Sequence, residues 1–110
     1  MIACIPVAPD GTVGHGWGRA ARVAVARVEA GAIAAWDEHD VGWDALHDEG
    51  TEGGHHARIA RFLTDHGVQL VVAGHMGPPM VQMLGRMGIA VRLDADGDAR
   101  AAVLETTRRN

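Results

Sequence analysis

Seven histidines are the residues in this chain best equipped for chemistry, and four of them lie in glycine-rich stretches. His15 lies within residues 9–19, a segment that carries four glycines and continues through Trp17 to Arg19. His55 and His56 follow Gly53-Gly54, and His75 lies in Gly74-His75-Met76-Gly77-Pro78-Pro79. Neutral imidazole nitrogens suit transition metals. Glycine lets the main chain approach a ligand closely. Arg19 can clamp an anion or pair with an acid from the next loop. His39 and His47 fall among Glu38, Asp40, Asp44, Asp48, Glu49 and Glu52, whose spacing does not match a calcium loop. His66 falls in the last turn of a helix, where the carbonyl end is its expected partner.

These side chains need a scaffold, and 110 residues are enough for a single domain, residues 1–110, with its own core. Hydrophobic residues make up 47% of the chain, with one Phe and no Tyr, so the expected core is aliphatic and the three tryptophans stand out. Ten basic residues, all arginine, face fourteen acidic ones for a net charge of −4. A mildly acidic chain with few aromatics argues against nucleic-acid binding, which needs a basic face. The single cysteine, Cys4, excludes an internal disulfide and a Cys-only metal site. No apolar run is long enough to span a bilayer and no charged segment with an apolar core opens the chain, so a cytoplasmic protein is expected.

Residues 1–7 read as a buried strand ended by Pro6 and Pro9, with Cys4 as an inert hydrophobe in its middle. Residues 21–28 alternate, residues 32–37 form a second strand, and Glu29-Ala30-Gly31 turns between them in an antiparallel hairpin. Residues 38–54 read as a long polar connection in which residues 43–47 form one helical turn that tucks Trp43 and Leu46 inward. A helix over residues 55–66 turns Ile59, Phe62 and Leu63 to the core and stops at Gly67. Residues 68–73 form a buried parallel strand. Pro78 and Pro79 open a second helix whose stripe is Met80, Met83, Leu84 and Met87, ended by Gly88. Residues 89–93 are the last strand, Asp96-Gly97-Asp98 turns, residues 99–107 form a final helix, and Arg108, Arg109 and Asn110 fray.

The alternation of strand and helix after the hairpin predicts a largely parallel α/β sheet. Right-handed crossovers put the first strand beside residues 68–73, and that strand beside residues 89–93, with the hairpin on the other side. Ligands bind such sheets beyond the carboxyl ends of the parallel strands. Both glycine-rich loops leave from those ends. A helix starting at His55 would join them and offer unpaired N–H groups and its positive dipole end to an anion. His15, His55, His56 and His75 then surround one crevice. Neighbouring helical residues diverge by about 100°, so one of His55 and His56 faces a shared metal and the other orients it or faces solvent.

Four stretches in this order resemble the dinitrogenase iron–molybdenum cofactor biosynthesis family, related to nitrogenase cofactor carriers. The opening Ile2-Ala3-Cys4-Ile5-Pro6-Val7 is similar to the family's first strand. Gly14-His15-Gly16-Trp17-Gly18-Arg19-Ala20 is similar to its His-Phe-Gly-Arg-Ala loop, with Trp17 in place of Phe and His15 one position early. Gly53-Gly54-His55-His56 is similar to its segment before the first helix, and Ala73-Gly74-His75-Met76-Gly77-Pro78 to its Gly-x-x-Gly-Pro turn. The resemblance implies a ribonuclease H-like fold: a mixed five-stranded sheet of order 3-2-1-4-5, with strand 2 antiparallel. It also implies that Gly14, His15, Trp17, Arg19, Gly53, Gly54, His55, His56, Gly74 and His75 meet an iron–sulfur or iron–molybdenum-type cluster.

The leading expectation is a non-catalytic carrier of such a cofactor or its precursor, exchanging it with a donor or acceptor protein. The first alternative is a single divalent transition metal held by His15, by His55 or His56, and by His75, with an acid from residues 38–52 as an optional further ligand. The second is a small interaction module without metal. A nuclease is not expected, because the parallel strands lack the clustered carboxylates that two-metal chemistry needs.

Overall fold

Valine, isoleucine and alanine dominate the first strands, and side chains of this kind suit a sheet covered on both faces. A computed structural model describes residues 1–108. Its elements are β1 (Ile2–Pro6), β2 (Arg22–Glu29), β3 (Ala32–Asp40), α1 (Trp43–Leu46), α2 (Glu52–Asp65), β4 (Leu70–Val72), α3 (Pro78–Arg86), β5 (Ala90–Arg92) and α4 (Ala99–Arg108). The five strands form one mixed sheet in the order β3-β2-β1-β4-β5. β2 runs antiparallel to β1 and to β3, while β4 is parallel to β1 and to β5. This is the predicted order.

Alternation along the strands divides the core into two layers. Cys4, Val23 and Val71 face Ile59 and Leu63 of α2 and Met80 and Leu84 of α3. Ala3, Ile5, Ala24, Ala26, Leu70 and Val72 face Ala99, Ala102 and Val103 of α4. Met83 and Met87 pack at the margin of the first layer, so the methionine stripe of α3 is core. Cys4 is wholly buried, and that burial pushes its thiol pKa far above the ordinary range.

Beyond shifts of one or two residues at strand ends, three differences from expectation matter. β3 continues through Asp40, so residues 38–40 belong to the hairpin and not to a loop. Arg22 explains why a polar segment stays in register: it pairs with Asp40 directly across the ladder, at 2.8 Å, and with Glu38 at 3.3 Å. The final helix keeps Arg108 as its last residue and does not fray there, while Arg109 and Asn110 lie outside the described residues. The third difference, the start of α2, bears on the site.

The β2–β3 turn has Ala30 at φ 51° and Gly31 at φ 76°. Both central residues are left-handed, as a tight hairpin matching the sheet twist requires. Alanine adopts this conformation at a cost that glycine and asparagine largely avoid.

Candidate functional site

Thr51, not the glycine pair, sets where α2 begins. Its extended backbone and side-chain oxygen form the N-cap, and Oγ1 accepts from the Gly54 amide at 3.0 Å. Gly53 and Gly54 are therefore first-turn helical residues, despite glycine's poor helix propensity. The His55 amide already donates to the Thr51 carbonyl at 3.0 Å. The expected helix start at His55, with free amides there, is thus corrected by one turn. Among the described residues, the unpaired amides at this end are those of Glu52 and Gly53.

The carboxyl ends of β1 and β4 lead into two loops that are stitched together. Gly16 and His75 form a parallel bridge, and the Trp17 amide donates to the His75 carbonyl at 3.2 Å. Gly74 is needed at the seam. A side chain there would meet the Ala95 carbonyl at 3.2 Å and the His15 carbonyl at 3.5 Å. Between these loops and the start of α2 opens a cleft of about 610 Å³. His15, His56 and His75 reach it from three separate elements, and Arg19 stands at its edge. Met76 and Met80, both buried, supply apolar lining.

The neighbouring imidazoles on α2 have different surroundings. His55 is 3% exposed, with Nε2 2.7 Å from the Gly18 carbonyl and Nδ1 2.7 Å from Arg58 Nη1. A guanidinium can only donate, so Nδ1 must be the acceptor and the proton must sit on Nε2. Both ring nitrogens of His55 are thereby engaged in holding the first loop against α2. The His56 side chain is 24% exposed and faces Glu52 at a loose 3.8 Å.

Six of the expected site residues line the cleft: His15, Trp17, Arg19, His55, His56 and His75. Gly14, Gly53, Gly54 and Gly74 shape its surroundings without lining it. Gly14 packs on the Pro6 main chain, where a Cβ would come within 3.2 Å. His47 lines the cleft without having been a candidate, and Glu52, the last of the acids in residues 38–52, lines it too. His47 belongs to the α1 C-cap, and its ring packs edge-on at 5.1 Å from that of His55. Its signal was faint, one imidazole among many acids. His47 Nδ1 lies 3.1 Å from Asp48, and this contact, with the nearby Arg19 charge, holds the Asp48 carboxyl below its usual range.

Trp17 forms part of the wall and is 1% exposed. It packs edge-on against Trp43, with centroids 5.2 Å apart. Its indole Nε1 is the one buried side-chain polar atom among the described residues that has no hydrogen-bond partner. An unmet buried donor costs free energy and is a feature to be explained. No group of three or more His, Cys, Asp or Glu side chains among the described residues is placed to hold a metal ion.

Fold and cleft together define a class, a small α/β protein with an imidazole-lined cleft at its parallel strand ends. The family model for the dinitrogenase iron-molybdenum cofactor matches residues 1–109, and the chain belongs to that family. The apo form of the orange protein from Desulfovibrio gigas is similar in structure, with a TM-score of 0.76 and 27% identity, over 98% of this chain and 88% of that one. The protein PH0822 shares the fold, with a TM-score of 0.73 and 20% identity, over 97% of this chain and 89% of its own. A comparison with curated proteins gave no match.

Proposed function

We propose that this chain is a non-catalytic carrier for an iron–sulfur-type metal cofactor or its precursor, working as one domain. The observation that carries the reading is the meeting of His15, His56 and His75 with Arg19 in a single cleft of about 610 Å³. Family membership supports the same reading, and the sheet order supports the ribonuclease H-like label implied by the motifs. His56, His15 and His75 are the candidate ligands for cargo metal. Arg19 and the amides of Glu52 and Gly53 would meet its negative charge. His55 acts as the positioning residue of the first loop.

A carrier should hold its cargo by few direct bonds, since each further ligand slows release to an acceptor protein. Single imidazoles from two loops and a helix meet that requirement. The reading places exchange with a donor or acceptor protein in the cytoplasm, and no described helix is long and apolar enough to cross a membrane. A lone divalent metal in the cleft is the weaker reading, because no group of three ligands converges among the described residues.

The test is anaerobic reconstitution with iron and sulfide, followed by gel filtration and absorption spectroscopy. The wild type should retain visible absorption through the column, and His56→Ala/His75→Ala should retain at least several-fold less. No retention by the wild type, or equal retention by the variant, overturns the proposal.

A further inference from the structure

A second pair of imidazoles lies away from the cleft, on the layer that covers β3. His39 stands opposite Val23 in the β2–β3 ladder, on the face turned to α2. His66 is the C-cap of α2, its own amide bonded to the Phe62 and Thr64 carbonyls. The two rings have centroids 4.7 Å apart at an interplanar angle of 60°. Phe62 holds both, at 4.3 Å from His66 and 5.5 Å from His39. Neither ring makes a hydrogen bond to another described residue, and none of their nitrogens is sealed from solvent.

We propose that His39 and His66 form a two-imidazole site for a borderline divalent metal such as Zn(II), bridging the edge strand β3 and the end of α2. With metal–nitrogen bonds of about 2.0–2.1 Å, two imidazoles on one tetrahedral ion have centroids roughly 5 Å apart. The observed centroid separation of 4.7 Å is close to that value. The site also sits at the negative end of a 14-residue helix, which favours a cation. Phe62 restricts both rings in advance, so little side-chain freedom remains to be lost on binding.

Water completes the coordination. Glu38 and Asp40 lie next to His39 in sequence, but both are held by Arg22. Arg58 lines the same shallow depression as His39, yet its guanidinium is engaged by His55 and the Leu46 carbonyl. Two protein ligands give a weaker and more exchangeable site than three or four. Because the site joins two elements, bound metal stabilises the folded chain by mass action.

The experiment uses Zn(II) for thermal unfolding and Cu(II) for electron paramagnetic resonance. The wild type should show a Zn(II)-dependent rise in Tm and a Cu(II) signal split by two nitrogens. His39→Gln and His66→Gln, each checked for native circular dichroism, should bind Zn(II) at least tenfold more weakly and lose one nitrogen coupling. His15→Ala/His75→Ala should bind metal at this site like the wild type, and the His39 and His66 variants should still retain reconstituted cluster. Zn(II) binding unchanged in both glutamine variants, or no binding by the wild type, overturns the proposal and leaves the carrier reading untouched.

Discussion

Arg58 Nη1 lies 2.7 Å from His55 Nδ1, one turn along α2, and this contact fixes the state of the histidine. The imidazole must be neutral with its proton on Nε2, pointing at the Gly18 carbonyl. A charged ring would turn an N–H towards a guanidinium. Nitrogen-15 spectra should therefore show the Nε2–H tautomer, and an Nδ1–H tautomer would contradict the geometry. His55→Ala should cost about 2 kcal/mol of stability, through two unpaired partners. His56→Ala, at a more exposed position, should change stability by no more than about 0.5 kcal/mol while weakening cargo retention.

The hairpin turn is open to improvement. Ala30 holds a left-handed backbone, at φ 51°, that alanine disfavours. Ala30→Asn keeps a side chain while relieving that strain, and should stabilise the fold by about 1 kcal/mol. Thermal unfolding reads this as a higher Tm. An unchanged or lower Tm would show that the turn carries no strain.

Gly74 allows two loops and the chain near Ala95 to meet. A Cβ 3.2 Å from the Ala95 carbonyl needs the main chain to give way. Gly74→Ala should cost about 1–3 kcal/mol and reduce cluster retention by parting the loops. Gly16→Ala, with open space at its Cβ, serves as the control and should leave stability close to wild type. Similar losses in both variants would refute the steric argument.

Cys4 should report unfolding and nothing else. It is fully buried, and desolvation disfavours its thiolate. Alkylation at pH 8 should be negligible in the native state and should rise with denaturant in step with loss of circular dichroism. Fast labelling without denaturant would contradict this burial.

The central strands were readable because β1 and β4 are buried on both faces and so show continuous apolar runs. β3 was read short, since an edge strand can expose Asp37, Glu38 and Asp40 and then resembles a loop. Its continuation depends on Arg22, 18 residues away. The start of α2 was misplaced because a glycine pair suggests a loop, whereas Thr51 and Glu52 were the stronger local signal. The meeting of His15, His56 and His75 follows from topology. The separate environment of His55 does not, because it rests on a carbonyl at Gly18 that no pattern marks.

The bridge between Gly16 and His75 makes the two strand-end loops a single plate. A guest wider than the resting cleft cannot part them without breaking a ladder contact beneath its own footprint. The opposite bank is the short segment between α1 and α2, where Asp48 meets Arg19 through exposed side chains at 4.0 Å. Loading and unloading should therefore swing that bank outward, and amide exchange around residues 47–51 should change on loading while the plate stays still.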